Sequence, residues 1–240
     1  MGRAFEVRKA SMMKTGMAKT KIYTRHSKEI YLAAKAGGTN IEANLTLKRL
    51  IEKAKKEQVP ADVIKRAIDK VDSGQGEDFK ANRYEGFGPN GATIIVDCLT
   101  DNANRTISDV KNCFTKSNNK IGVTGAVAHM YDHLGVITVK GMTEDSILEL
   151  VLDNDIDAKD IEVEDDDMIT VYVDIPEFMK TRNALADATS EENIITDEMT
   201  WLAQIPASLQ GEDMDSFKKL LDMLNELDDV QNLYHNVDNI

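Results

Sequence analysis

Apolar positions three and four apart are the first regular signal along the chain. Between Lys21 and Ala36, Ile22, Tyr23, Ile30, Ala33 and Ala34 share one side of a helix, although Leu32 intrudes on the other. At 100° per residue, Lys21, Arg25, Lys28 and Lys35 fall within an arc of about 80° on that opposite side. Gly37 and Gly38 end the pattern. A second helix is predicted over Asn44 to Gln58, burying Leu47, Leu50, Ile51 and Ala54 and turning Lys48, Arg49, Lys53, Lys55 and Lys56 outward. A third runs from Pro60 to about Val71, burying Ile64, Ala67, Ile68 and Val71 and exposing Lys65, Arg66 and Lys70. Three amphipathic helices of this length make a small bundle.

After Ser73-Gly74-Gln75-Gly76, which reads as a linker, the period shortens towards that of strands. Ala92 to Leu99 is a β-branched run, Thr106 to Ser117 a helix with Thr106 as its expected cap, and Ala126 to Tyr131 a strand. Strand Val136 to Val139, helix Glu144 to Leu152, a hairpin of Ile161 to Glu164 with Met168 to Val173, helix Pro176 to Ala188 and a strand near Ile194 then spell β-α-β-β-α-β, the ferredoxin-like order. Thr200 to Ile205, a helix from Asp213 to Leu227 and Val230 to His235 supply a further β-α-β. The fold class expected is α+β: an N-terminal three-helix domain followed by two α/β sandwich domains of ferredoxin-like type, one inserted into the other. The economical division is 1–79, then 80–134 together with 200–240, with 135–199 inserted; three domains in simple succession are the rival.

Charge changes the picture of the first 80 residues. The 240-residue chain carries a net −13, which alone argues against nucleic acid. The average hides a split: residues 1–80 hold 18 Lys and Arg against 10 Asp and Glu, and residues 81–240 hold 11 against 32. A basic head on an acidic body suggests that the head meets a polyanion. Basic residues on three helices favour phosphate contacts over base reading, and a helix-turn-helix around Val59-Pro60 competes with an ordinary helical hairpin. The candidate contact set is Lys21, Arg25, Lys28, Lys35, Lys48, Arg49, Lys53, Lys55, Lys56, Lys65, Arg66 and Lys70.

Other chemistry is sparse. Cys98 and Cys113 lack metal or redox spacing and read as small buried hydrophobes of a reducing cytoplasm. The basic N-terminus has no apolar h-region, and no apolar run approaches a membrane span. His129 with His133, and Asp165-Asp166-Asp167 at a hairpin tip, are weak metal candidates; no nucleophile motif occurs. No cofactor, metal, membrane or small-molecule substrate is expected. Gly86-x-Gly88-x-x-Gly91 has the spacing of a dinucleotide fingerprint, but such a loop must follow a strand and open a helix. Here no β run is evident before it, Pro89 interrupts it and a strand follows. Arg83, Tyr84, Gly86, Gly88, Pro89 and Gly91 are therefore read as a structural junction, with Arg83 and Tyr84 placed where head meets body.

RYEGFGPNG, DCLTDNANRT, DDVQNLYHNVD and AAKAGG together resemble the YebC family of bacterial proteins, which also includes mitochondrial translational activators; the opening MGRAF looks like its YeeN-type branch. The resemblance implies a helical N-terminal domain, two α/β domains and no enzymatic activity. Relatives are called probable transcriptional regulators that bind DNA, and others are linked to translation at the ribosome, including relief of stalling. Where many relatives have Asn-Pro before a Leu-Arg pair, this chain has Asn44-Leu45 before Leu47-Lys48, which keeps charge but loses a bidentate fork. The expected function is a cytoplasmic, non-enzymatic regulator of gene expression binding DNA through the basic head. The alternatives are a ribosome-associated translation factor binding RNA, and a protein-interaction scaffold using the acidic surfaces.

Overall fold

The computed structural model describes residues 19–73, 78–164 and 167–240. By contact they form two compact units: residues up to 126 with 210–233, and 127–209 with 234–240.

The first unit begins with helices α1 (Lys19–Gly37), α2 (Leu45–Lys56) and α3 (Ala61–Asp72). Their apolar stripes meet as periodicity requires: Ile30, Ala33 and Ala34 of α1 close on Leu47, Ile51 and Ala54 of α2 and on Ile64 and Ala67 of α3. Asn44 ties the turn together. Its Oδ1 accepts from Leu47 N at 3.0 Å, while its amide donates to Ala33 O at 2.8 Å and Gly38 O at 2.9 Å. The side chain thus caps α2 and satisfies carbonyls at the end of α1.

The same unit holds a sheet ordered β3-β1-β2-β8, from β1 (Lys80–Phe87), β2 (Thr93–Thr100), β3 (Lys120–Ile121) and β8 (Val230–His235), with helices α4 (Ala103–Lys116) and α7 (Gly211–Asn225). β1 was not expected. Its sequence, KANRYEGF, has few β-branched residues and is held by an eight-residue antiparallel register with the strongly apolar β2. The expected strand over Ala126–Tyr131 is instead a 3-10 turn at Ala128–Met130 leading into the next strand, and β3 is a two-residue strand. Helix α4 starts before its expected cap because Asn102 Oδ1 accepts from Arg105 N at 3.1 Å, leaving Thr106 inside the helix.

The second unit contains β4 (Tyr131–Lys140), α5 (Glu144–Asp153), β5 (Ala158–Val163), β6 (Met168–Asp174), α6 (Phe178–Ala188) and β7 (Ile194–Ala203). The sheet order β5-β6-β4-β7, antiparallel throughout, is the ferredoxin-like arrangement. Ile137, Val139, Ile169, Val171 and Val173 pack beneath Ile147, Val151, Phe178 and Leu185 of its helices. The two short strands expected near Ile194 and over Thr200–Ile205 are one ten-residue strand, β7, paired with β4. Asp197 and Glu198 in its middle disguise this continuity. Thr143 caps α5 in a reciprocal box with Ser146. Among the described residues no helix is long and apolar enough to cross a membrane.

Candidate nucleic-acid interface

The twelve basic candidates divide by the use the structure makes of them. On α2 and α3, Lys55, Lys56, Lys65 and Arg66 stand on exposed faces, with Lys48, Arg49, Lys53 and Lys70 half-buried beside them. Lys48 pairs with Glu42 at 3.0 Å and Arg66 with Asp62 of its own helix at 2.7 Å, both in open solvent. Such surface pairs are worth little. Lys53, Lys55 and Lys56 fill the last turn of α2, where cations complement the helix dipole and cluster their charge.

The α1 stripe is placed differently, and here the expectation of three outward basic faces is corrected. Lys28 lies against the sheet. Its Nζ donates to Leu99 O (3.1 Å), Asp228 O (2.9 Å) and Asp229 Oδ1 (3.1 Å), with only 12% of its side chain exposed. Burial pushes the Lys21 ammonium down to about 8, against the pull of Asp228 and Glu226. Arg25 reaches Glu29 at 3.7 Å, and Lys35 pairs with Asp78. The sequence showed a cationic arc but not which partner it faces, because Asp228 and Asp229 lie 200 residues further along.

Asp229 is the hub of this contact. Oδ2 accepts from Thr106 Oγ1 at 2.9 Å, Thr100 Oγ1 at 3.1 Å and Arg105 Nη2 at 2.8 Å, while Oδ1 takes Lys28. Burial alone would push this carboxyl up. The bonds from Arg105, Thr106 and Lys28 outweigh it and hold the group at about 2, against an ordinary 3.8. Arg105 also pairs with Asp101 at 2.7 Å, and the two carboxylates push its guanidinium higher still. The segments DCLTDNANRT and DDVQNLYHNVD, far apart in the chain, thus meet as one network that seats α1 on the sheet.

The glycine junction is also structural. It does follow a strand, contrary to expectation, but a three-residue 3-10 turn (Pro89–Gly91) carries it into β2 rather than into a helix. A Cβ on Gly86 would lie 2.2 Å from Phe114 Cε1, and one on Gly88 2.8 Å from Phe217, so these glycines admit the helix aromatics to the sheet. Gly91 takes φ +80°. Arg83 forms a two-pronged pair with Asp97 across the β1–β2 ladder, at 2.6 and 2.9 Å, and Tyr84 is partly buried beside it. Burial raises the Tyr84 hydroxyl pKa.

Other candidates disperse. Cys98 and Cys113 are buried and unpaired with each other, and burial pushes Cys98 up to about 12, which suits packing and not nucleophilic chemistry. His133 stacks on Trp201 at 4.4 Å, and His129 lies in an exposed turn. Among the described residues no cluster of three His, Cys, Asp or Glu is placed to hold a metal. Asp165 and Asp166, like Gly74, Gln75 and Gly76 of the linker and the MGRAF opening, lie outside the described residues.

The helical head and the two-sheet body match separate models of one family: residues 3–74 match the TACO1/YebC protein N-terminal domain, and residues 79–237 the TACO1/YebC second and third domain. The chain belongs to the TACO1/YebC family. Its family relatives include a probable transcriptional regulatory protein of Alteromonas mediterranea, 55% identical over 98% of both chains. Another, of Vibrio parahaemolyticus, is 52% identical over 99% of this chain and all of that one. A crystal structure of a conserved hypothetical protein from Aquifex aeolicus superimposes with TM-score 0.74 and 31% identity, covering 94% of this TACO1/YebC chain and 92% of the other.

Proposed function

We propose that the protein is a non-enzymatic, cytoplasmic regulator of gene expression that binds the phosphate backbone of nucleic acid, duplex DNA first, through the outer faces of α2 and α3. The observation that carries this reading is the placement of Lys53, Lys55, Lys56, Lys65 and Arg66 on one small helical bundle, outside the core that Leu47, Ile51, Ala54, Ile64 and Ala67 form. A body of strongly negative charge would be repelled from phosphate and so turn the head towards it. The names of the Alteromonas and Vibrio relatives support the transcriptional form.

The test is salt-dependent binding of a mixed-sequence duplex to the full chain. Log K should fall with log salt at about −0.9 per phosphate contacted. Reversing charge at Lys53, Lys56 and Lys65 should abolish most of the binding without loss of helicity; unchanged affinity would refute the assignment. A second reading, an RNA-binding ribosome factor, is favoured by one feature. The lysines are spread over two helix faces instead of lining one recognition helix, which suits an irregular RNA surface. Salt-sensitive co-sedimentation with ribosomal particles, together with indifference to duplex sequence in competition, would select it.

A further inference from the structure

The ferredoxin-like unit leaves one flank open. Helix α5 packs against β5, and α6 against β4, β6 and β7, so the outer side of α5 and the free edge of β5 border the same flank. On α5, Ile147, Leu150 and Val151 pack into the core, whereas Leu148 and Leu152, one turn apart, are 43% and 78% exposed. Ile161 of β5 packs towards the helices, which puts Val163, two residues on, on the helix side of the strand; it is 56% exposed. Three large apolar side chains along one flank differ from the scattered single ones that any surface carries. Among the described residues the strand beside them has no outer neighbour, because β5 ends the sheet order. Glu164 N donates to Met168 O at 2.8 Å across the hairpin, so antiparallel alternation turns the main-chain groups of Val163 and Ile161 outward. The Asp160 carboxylate accepts from Ile161 N at 2.9 Å, and a bulge at Ala158–Asp160 blunts the strand before it. Among the described residues no bulge or side-chain bond guards Val163 in this way.

We propose that this flank takes an extended, basic peptide segment of a partner protein as a fifth strand beside β5. Main-chain pairing with Val163 and with the carbonyl of Ile161 sets its register, as in strand addition to other sheet edges. Apolar residues on one face of the added strand cover Leu148, Leu152 and Val163. Lysine or arginine on its other face meets Asp160 and Glu162, which alternation places on the side of β5 away from the helices. Charge selects the occupant. Two copies of β5 brought edge to edge would set Asp160 and Glu162 against like charges, which disfavours a second copy of this chain. The acidic excess of residues 81–240, 32 acids against 11 bases, draws a basic segment instead. This role belongs to the body and stands apart from what the head binds.

The experiment titrates a short fluorescein-labelled peptide of alternating valine and lysine into the full chain and follows its anisotropy. Leu148→Ser with Leu152→Ser, both at exposed positions, should weaken binding at least about tenfold. Asp160→Lys should weaken it at least about threefold more than Asp109→Lys, an exposed acid in the other unit that makes the same change in net charge. A peptide of equal charge with proline in place of alternate valines should bind at least about tenfold more weakly, since proline cannot donate to the ladder. Hydrogen exchange followed by nuclear magnetic resonance should show the Val163 amide slowed by the valine-lysine peptide. Equal weakening by the two lysine variants, no effect of the leucine pair, or an unchanged Val163 amide would each overturn the proposal by reducing the contact to adsorption on an acidic body. Peptide-free protein that sediments as a dimer and is split by the leucine pair would overturn it too, giving the flank to a second copy.

Discussion

Replacing Asp229 by Asn keeps the shape of the side chain and removes the charge on which Lys28, Arg105, Thr100 and Thr106 converge. Its carboxyl titrates at about 2 in the folded protein against an ordinary 3.8. The gap is worth about 2 kcal/mol at neutral pH. Lys28, with 12% of its side chain exposed, loses its anionic partner, so the full loss should reach about 2 to 4 kcal/mol. Arg105 is about half exposed and recovers water, which keeps the figure below that of a wholly buried pair. With a urea slope of about 2 kcal/mol per molar, the midpoint should fall by about 1 to 2 M. The pH dependence has a fixed sign. The folded pKa is depressed, so the stabilisation is complete above the unfolded value near 4 and is lost as pH falls through about 2. Urea titrations by far-ultraviolet circular dichroism at pH 7, 5, 3.5 and 2.5 should therefore show wild type and Asp229→Asn far apart at the first two values and converging at the last. A midpoint shift under about 0.3 M at pH 7, or a gap that persists undiminished at pH 2.5, would refute the account of the hub.

Three further outcomes can be measured directly. Gly86→Ala drives a methyl against Phe114 and within 2.8 Å of the Lys120 backbone carbonyl, and should cost about 1 to 3 kcal/mol in the same urea assay. Asn44→Ala deletes a helix cap and strips two carbonyls of their donor, for about 2 kcal/mol, whereas Leu45→Pro, at the exposed first position of α2, should leave stability unchanged or raise it by up to about 1 kcal/mol in thermal melts. Cys98 and Cys113 should resist labelling by a thiol reagent at pH 8 in the native protein and react in urea, since burial both shields the thiols and holds them protonated.

Helices were legible because their evidence is local. The stripes of α1, α2 and α3 can be counted, and Pro60, Gly37 and Gly38 mark where they stop. The ferredoxin-like order was legible for the same reason, each of its elements carrying its own period. β1 was not, because KANRYEGF becomes a strand only through its neighbour β2, and the split reading of β7 failed because charges at Asp197 and Glu198 interrupt an otherwise apolar edge. The candidate interface followed the same division. Outward lysines on α2 and α3 needed only helical geometry. That Lys28 faces inward depended on a carboxylate at Asp229, and nothing near Lys28 in the sequence announces it. A weak sign existed in the Thr100, Arg105 and Thr106 cluster, three donors with no nearby acceptor of comparable strength except Asp101.

β8 joins β2 across more than half the chain, and Asp229 stands at its threshold. During synthesis the helical head and the β1–β2 hairpin leave the ribosome long before that strand exists, at about 5 to 20 residues per second. For several seconds or more Lys28 has no Asp229, β2 has an open edge, and the cationic arc of α1 is bare beside a ribosome rich in phosphate. The nascent head is thus more cationic in effect than the finished one. Completion of the last strand supplies Asp229 to Lys28 and covers the open edge of β2, so this part of the fold closes only when nearly the whole chain has been made.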